Sequence, residues 1–302
     1  MRTMRGMIVL LTLLVAAQAA AQPTLDSLWP NDDGLRFTYA YTYEDAMAGV
    51  SHASEAHLQL EGTVMTAGGE AQILLGDHGD IPAKALADQP ALGGLLHALW
   101  RARPDLRPQL ERLAAAKGDK ARWLPLLLHD GYFMKGTEAI RMWQETWNHP
   151  TWTYLTSDLT PGASFVQQLL PEIVDDVFLH GTVGAVGVTV TTPAGTFDDA
   201  VRVDYLVDLG EALWLDEGLA GDPIGLVHSE IRGHVHYVPG VGPVDMLEES
   251  LPFVTIDCGE NDCPPEWVQW LGQVVETQTL SLSDAPVPQT DASWGGVKSL
   301  YR

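Results

Sequence analysis

TVGAVGVTVTTPAGTFDDAVRVDYLVDLG, residues 182 to 210, decides the fold class. Val186, Val188 and Val190 alternate with small or polar residues on the way in. Val201, Val203 and Tyr205 alternate with charged ones on the way out. β-Branched and aromatic side chains at period two describe strands with one buried face. Between the two runs stands Pro193-Ala194-Gly195, and Thr196 and Phe197 restart the alternation. Proline fixes φ and glycine accepts positive φ, so the tripeptide reads as the turn of an antiparallel hairpin.

The same texture extends in both directions. LRFTYAYTY places Phe37, Tyr39 and Tyr41 at period two, and AHLQLEGTVM and EAQILLGDHG follow with Gly68-Gly69 as their turn. GYFMKGTEAIRMW reads as two short strands, and TWTYLTSDL, HSEIRGHVHYV, VDMLEE and VVETQTLSLS as further ones. From about residue 90 to 128 the chain becomes rich in Leu, Ala and Arg, with Leu106, Leu110 and Leu113 at helical spacing. Pro104 and Pro108 break that stretch into short helices, which makes it a helical insertion in a β protein. LWPNDDGLRF at Leu28 and LTPGASF at Leu159 both run Leu-x-Pro and then Gly-x-x-Phe. Two such starts suggest two related β halves. The expected fold is mainly β (α+β): an antiparallel, strongly curved sheet or half-barrel-like scaffold, with two packed sheets as the other arrangement of the same strands. One β-rich domain is expected over 22–283, with a flexible tail over 284–302.

The first residues set the compartment. Arg2 and Arg5 precede the apolar run Met7 to Ala17, and Ala19-Ala20-Ala21 closes it. A basic start, a short apolar middle and an A-x-A site describe a signal peptide over 1–21. No later run approaches the roughly 18 apolar residues of a transmembrane helix, so an exported protein, periplasmic or extracellular, is expected. Cys258 and Cys263 enclose four residues, and in an oxidising compartment such a pair reads as a local disulfide.

With 17 basic and 40 acidic residues the chain carries a formal charge of −23. That excludes nonspecific nucleic-acid binding as a function and disfavours adhesion to anionic membranes. The insertion departs from the trend: Arg101, Arg103, Arg107, Arg112, Lys117, Lys120 and Arg122 meet only three acids between residues 101 and 122. They read either as a solvated helical face or as basic residues at the mouth of a ligand site, Arg101, Arg103, Arg107 and Arg112 foremost.

Three stretches together carry a resemblance: the start LWPNDDGLRFTYAYTY, the hairpin TTPAGTFDDAVRVDY and the later HYVPGVGPVDMLEE. They look like exported bacterial proteins of the DUF3108/TapB-like group, in which a Pro-Ala-Gly-Thr-Phe turn is followed by a strand and a Tyr-Ala-Pro-Gly-Val-Gly turn comes later. Pro193 to Phe197 match the first motif and Tyr237 to Gly242 the second, with Val238 where that group has alanine. Pro243 and Asp245 stand where the group has apolar and basic residues. The resemblance implies an antiparallel β scaffold in the cell envelope and no agreed activity.

GHVHYVPGVG, residues 233 to 242, poses the chemical question. Pro239 and Gly240 suit the two central positions of a type II turn, and Gly242 a close approach or bulge. His234 and His236 lie two apart on the incoming strand and share a face, a geometry two metal ligands can use. A metal site needs further ligands. Asp77, His78, His228 and Asp245 exist in the chain, but no spacing nominates one. The stretch is therefore read as a turn after two solvated histidines, with neither metal nor cofactor expected.

No nucleophile elbow, zinc helix or phosphate loop occurs. GDHGD at 76–80 and the acids of CGENDC read as polar loops. Trp143, Trp147, Trp152 and Tyr154 cluster in the sequence, as do Trp267 and Trp270; such groups fill cores or wall a ligand site. The leading expectation is a non-enzymatic envelope protein that binds a lipid or other amphipathic ligand, or a partner envelope protein. A metal-dependent or other hydrolase centred on His234 and His236, and a structural or assembly factor, are the alternatives.

Overall fold

Alternation in LRFTYAYTYED becomes strand β1 (Leu35–Asp45), whose Leu35, Phe37, Tyr39, Tyr41 and Tyr43 are all buried on one face. The structure is a computed structural model that describes residues 23–30, 32–66, 69–78, 99, 102–117, 127–128, 131–144, 149–169, 171, 174–215, 223–259 and 262–288. The expected signal peptide, Arg101 and residues 289–302 lie outside these. From β1 the chain continues as β2 (Val50–Thr66), β3 (Gly69–His78), β4 (Gly131–Lys135), β5 (Ala139–Gln144) and β6 (His149–Thr156). After a loop come β7 (Ser164–Gln168), β8 (Phe178–Thr192), β9 (Gly195–Leu215), β10 (Pro223–Val238), β11 (Gly242–Asp257) and β12 (Glu276–Pro288).

These strands form one antiparallel sheet in the order β6-β5-β4-β3-β2-β1-β12-β11-β10-β9-β8-β7. Each half is a six-stranded meander, and β1 joins β12 from Leu35↔Pro288 to Asp45↔Glu276. The curvature brings β6 round to β7, where the backbone N–H of Thr153 donates to Oε1 of Gln167 at 2.7 Å. The result is a nearly closed barrel. Its last strand runs to Pro288, into the stretch expected to be loose, because Asp284, Val287 and Pro288 pair with the start of β1.

The two halves open alike. Leu35 N–H bonds to Asp32 O at 3.2 Å, and Ala163 N–H to Thr160 O at 2.8 Å. The third residue of each turn is a glycine with positive φ, 77° at Gly34 and 87° at Gly162, as a type II turn requires. Each of these glycines then donates its own N–H to the next strand of its half, Gly34 to Leu60 O at 2.8 Å and Gly162 to Val183 O at 2.7 Å. The short sequence echo thus marks the same backbone device at the head of both meanders.

Both barrel ends are filled. At the lower end, where the turns at 136–138, 193–194 and 239–241 lie, helical turn α1 (Leu25–Leu28) is started by a Thr24–Ser27 capping box. It buries Leu25, Leu28 and Trp29, and Trp29 stacks on Phe133 at 4.6 Å. At the upper end the insertion enters the barrel. A 3-10 turn, Pro104–Leu106, leads into α2 (Arg107–Lys117), and Leu99, Leu106, Leu110, Leu127 and Leu128 join the main core. Leu127 N–H bonds to Glu248 Oε2 at 2.9 Å, and Gln278 links Glu248 to the Tyr41 hydroxyl. The described residues of the insertion act as a plug rather than a lid.

Buried tyrosines complete the interior. Tyr39 donates to Pro243 O at 2.8 Å, Tyr43 to Glu276 at 2.8 Å and Tyr205 to Tyr154 O at 2.5 Å. Each of these buried hydroxyls left unpaired would cost about 1–3 kcal/mol, so the pairs fix which strands lie across from one another. Burial pushes the Tyr39, Tyr205 and Tyr237 phenols above their ordinary range, which keeps them neutral donors. A void of about 10 Å³ remains beneath Trp29 and Pro30, space for about one water at most. On β9 to β12 the outer face carries polar residues, with Arg202, Asp204, Arg232, Glu249, Thr277 and Thr279 all incompletely buried. That polarity is the reverse of a membrane-spanning barrel, whose outside is apolar. Among the described residues no helix is long and apolar enough to cross a membrane.

Candidate functional site

Among the described strands, β6 and β7 are the two that end the ladder order. A sheet edge presents N–H and C=O groups that seek partners. Here the two edges border a cleft of about 630 Å³. β6 contributes Thr153 and Thr156, β7 contributes Phe165, Val166, Gln167 and Gln168, and Glu138 and Arg141 flank them. The Phe165 ring lies over Gly181 on β8, where a Cβ would collide with it, so glycine makes the seat for that ring. Val166 is 61 % exposed. The slot is amphipathic, five residues long on the β7 side, and bridged at Thr153 by a side chain in place of a backbone carbonyl.

A second cluster stands on the outer face, three strands from β7. His234 and His236 occupy alternate positions of β10, and cross-strand pairing places Asp245 of β11 directly beside His236. The register slips between His236 and Tyr237, so that Tyr237 faces Pro243 and Val244 is the extra residue. Asp245 Oδ2 lies 3.1 Å from His236 Nδ1, a hydrogen bond, and 3.8 Å from His234 Nε2, a charge contact only. The two imidazoles meet edge to face at 4.8 Å. Burial alone would raise the Asp245 carboxyl, but the His234 and His236 rings more than offset it and hold it at about 2. On β9, Arg202 lies opposite His236 and Asp204 opposite His234, and those two pair with each other at 2.7 Å. Ser281 of β12 lies opposite Asp245, on the far side from the histidines, so the row does not align a serine with a histidine base.

Of the basic residues expected at a ligand mouth, Arg103 is placed inside the fold. Arg103 is 7 % exposed, with its guanidinium on Asp105 at 2.9 Å, Asp176 at 2.7 Å and Leu209 O at 3.2 Å. Burial opposes the Arg103 charge, and the hydrogen bonds to Asp105 and Asp176 more than restore it. It anchors the plug to β9. Arg107 heads α2, and the exposed Arg112 donates to Pro108 O at 2.9 Å. Trp267 stacks on Phe253 at 5.8 Å and, with Val227, forms a small second core beyond the barrel rim. Tyr154 is buried between Trp29, Phe133 and Tyr205, while the side chains of Trp143, Trp147 and Trp152 lie outside the described residues. So do the side chains of Asp77 and His78, and Asp80 altogether. Cys258 and Cys263 are joined as a disulfide.

The turn residues serve the lower end. Pro193 and Ala194 form the two-residue link of β8 to β9, and Thr191 and Thr196 face each other across it at 3.2 Å. Phe197 packs against the core. Val241 N–H closes on Val238 O at 3.0 Å, with Pro239 next and Gly240 at φ 75°, the expected type II turn. Gly240 N–H reaches Ser27 O at 2.6 Å, and a Cβ on Gly242 would stand 2.9 Å from Pro30. Glycine there lets the N-terminal segment close the barrel, while Tyr237 lies wholly inside.

No family model matches the chain, and no curated protein matches it. Two solved structures align along most of its length. One, from Bacteroides fragilis, is named for an exported protein with a YmcC-like fold: 10 % identity over 85 % of this chain and 97 % of that one, TM-score 0.30. The other, from Parabacteroides distasonis, is named for a lipoprotein: 11 % identity over 85 % and 97 %, TM-score 0.29. At that level of likeness, function has to be argued from this chain's own residues.

Proposed function

We propose that this is an exported, non-enzymatic envelope protein whose barrel takes an extended segment of a partner protein into the cleft between β6 and β7. The carrying observation is that two strand edges face each other there across a slot that no ladder fills. Adding a strand to a free edge supplies backbone hydrogen bonds for affinity, and alternate side chains meet the walls for specificity. An incoming strand would meet Phe165 and Val166 with its apolar side chains, and Thr153, Thr156, Gln167 and Gln168 with its polar groups. Among the described residues at the lower end, the void beneath Trp29 is about 10 Å³, while a small-molecule pocket needs roughly 300 Å³ or more, which weighs against an apolar ligand held there. Export is supported by the signal-like start and by the Cys258–Cys263 bridge, a bond that persists in oxidising compartments.

The test is selection from a random-peptide library displayed on phage. Enriched peptides should alternate apolar and polar residues and bind the wild-type barrel. Val166→Lys, which puts a charge on the edge, and Thr153→Pro, which removes the N–H that faces the slot, should both abolish that binding in folded protein. Failure to enrich any peptide, or binding indifferent to both substitutions, would overturn the proposal.

A further inference from the structure

The sequence puts His234 and His236 on one strand face, and the sheet adds Asp245 to make one constellation. One ligand atom from each, two imidazole nitrogens and a carboxylate oxygen, lie within 4.8 Å of one another. Among the described residues this is the only such group of three. We propose that these three side chains form a zinc site on the outer face of the barrel, independent of the β6–β7 cleft.

Three observations carry it. First, the donors are of the right kind: two nitrogens and one carboxylate oxygen suit Zn²⁺, which binds at about 2.0–2.2 Å in a tetrahedron. Side-chain rotations must shorten the present separations to roughly 3.4 Å, the edge of such a tetrahedron. The closest pair, His236 Nδ1 and Asp245 Oδ2 at 3.1 Å, is already there. Second, the backbone is fixed. Alternate positions of one strand and a directly opposed position of the next are held by ladders on both sides, so ordering the ligands costs little. The bulge at Val244 sets Asp245 opposite His236. Third, the surroundings are half-buried rather than free in water: the side chains of His234, His236 and Asp245 are 17 %, 12 % and 27 % exposed. An ion there keeps one face to solvent, and three protein ligands leave a fourth position for water or an incoming donor. Arg202, opposite His236 on β9, is engaged by Asp204 at 2.7 Å.

Other groupings lack this set. His228 approaches Glu230 at 3.3 Å and Asp208 at 3.6 Å, but it brings only one nitrogen. It therefore serves as an internal control.

The experiment is calorimetric titration of tag-free, chelator-stripped protein with Zn²⁺, repeated with Co²⁺ while recording visible absorption. One equivalent of Zn²⁺ should bind, and Co²⁺ should give the intense visible bands of a four-coordinate site. His234→Gln, His236→Gln and Asp245→Asn should each weaken binding by at least about tenfold, the loss usual when a metal site's ligand shell is disturbed. His228→Gln should leave it unchanged. Circular dichroism shows whether each variant is folded. Should His236→Gln unfold, His234→Gln decides, because His234 makes no hydrogen bond to Asp245. Absence of saturable binding, or binding that survives all three ligand substitutions, would overturn the site.

Discussion

The two halves of the barrel begin with the same turn and end up unlike. In the first, β1 to β3 run 11, 17 and 10 residues, and β4 to β6 only 5, 6 and 8. In the second, after a five-residue β7, every strand has 13 to 21 residues. The first half gives up strand length and carries between β3 and β4 the insertion that fills the barrel. The second half builds a long, continuous wall whose outer face bears the histidine–aspartate row. Where the eight-residue β6 meets the five-residue β7, the sheet fails to zip, and the cleft lies there. A repeated six-strand unit has thus divided its labour: one copy supplies the filling, the other the wall.

That division can be broken first at the plug. Leu110 is fully buried in the shared core, so Leu110→Ala should cost about 3 kcal/mol, within the 2–5 usual for such deletions. Urea unfolding measures it, and a loss below about 1 kcal/mol would return the insertion to the role of a removable lid. The wall makes room for the plug at Gly233, where a Cβ would overlap the Leu247 carbonyl and stand 2.9 Å from Leu127. Gly233→Ala should cost roughly 1–3 kcal/mol by overpacking in the same assay. Equivalence of the two opening turns is sharpened by Gly34→Ala and Gly162→Ala, each expected to lose about 1 kcal/mol through its positive φ. Unequal losses in thermal and urea unfolding would mean that the turns share a shape without sharing a load. The smallest effect belongs to the cleft: Val166→Lys should leave stability within about 0.5 kcal/mol, since the side chain is already mostly in water.

Much of the wall was legible in the sequence. Period-two valines and aromatics located β1, β8, β9 and β10, because strands with one wet face must alternate. The proline–glycine turns at 193–195 and 239–242 were legible because so few backbone shapes suit those residues. The paired starts at Leu28 and Leu159 pointed to two halves, and the split into two meanders falls there. Other features depend on distance. That the insertion turns inward rests on Leu127 meeting Glu248 and Gly233, more than a hundred positions later, which no local pattern records. Arg103 looked like part of a basic face because Asp176, its closest partner at 2.7 Å, is 73 residues away. Asp245 is only nine residues from His236, yet nominating it requires the hairpin register together with the bulge. With that register in hand, opposed positions across a Pro-Gly turn are the signal that finds it. β7 was missed because SFVQQ is short and polar, the same property that leaves its outer edge open.

Pairing of β1 with β12 has a consequence in time. Leu35 lies beside Pro288, so the first and last strands of the sheet are neighbours. Each meander can assemble from hairpins formed nearby in the chain, but the two join only when the final strand arrives. Such non-local closure places folding in the slow range, milliseconds to seconds, of β-rich proteins. For a chain threaded across a membrane N-terminus first, β1 must wait with one edge bare until nearly the whole protein has passed. The tyrosine row that it carries would stand exposed for that interval, which makes the order of emergence, as much as the final contacts, a condition on reaching this barrel.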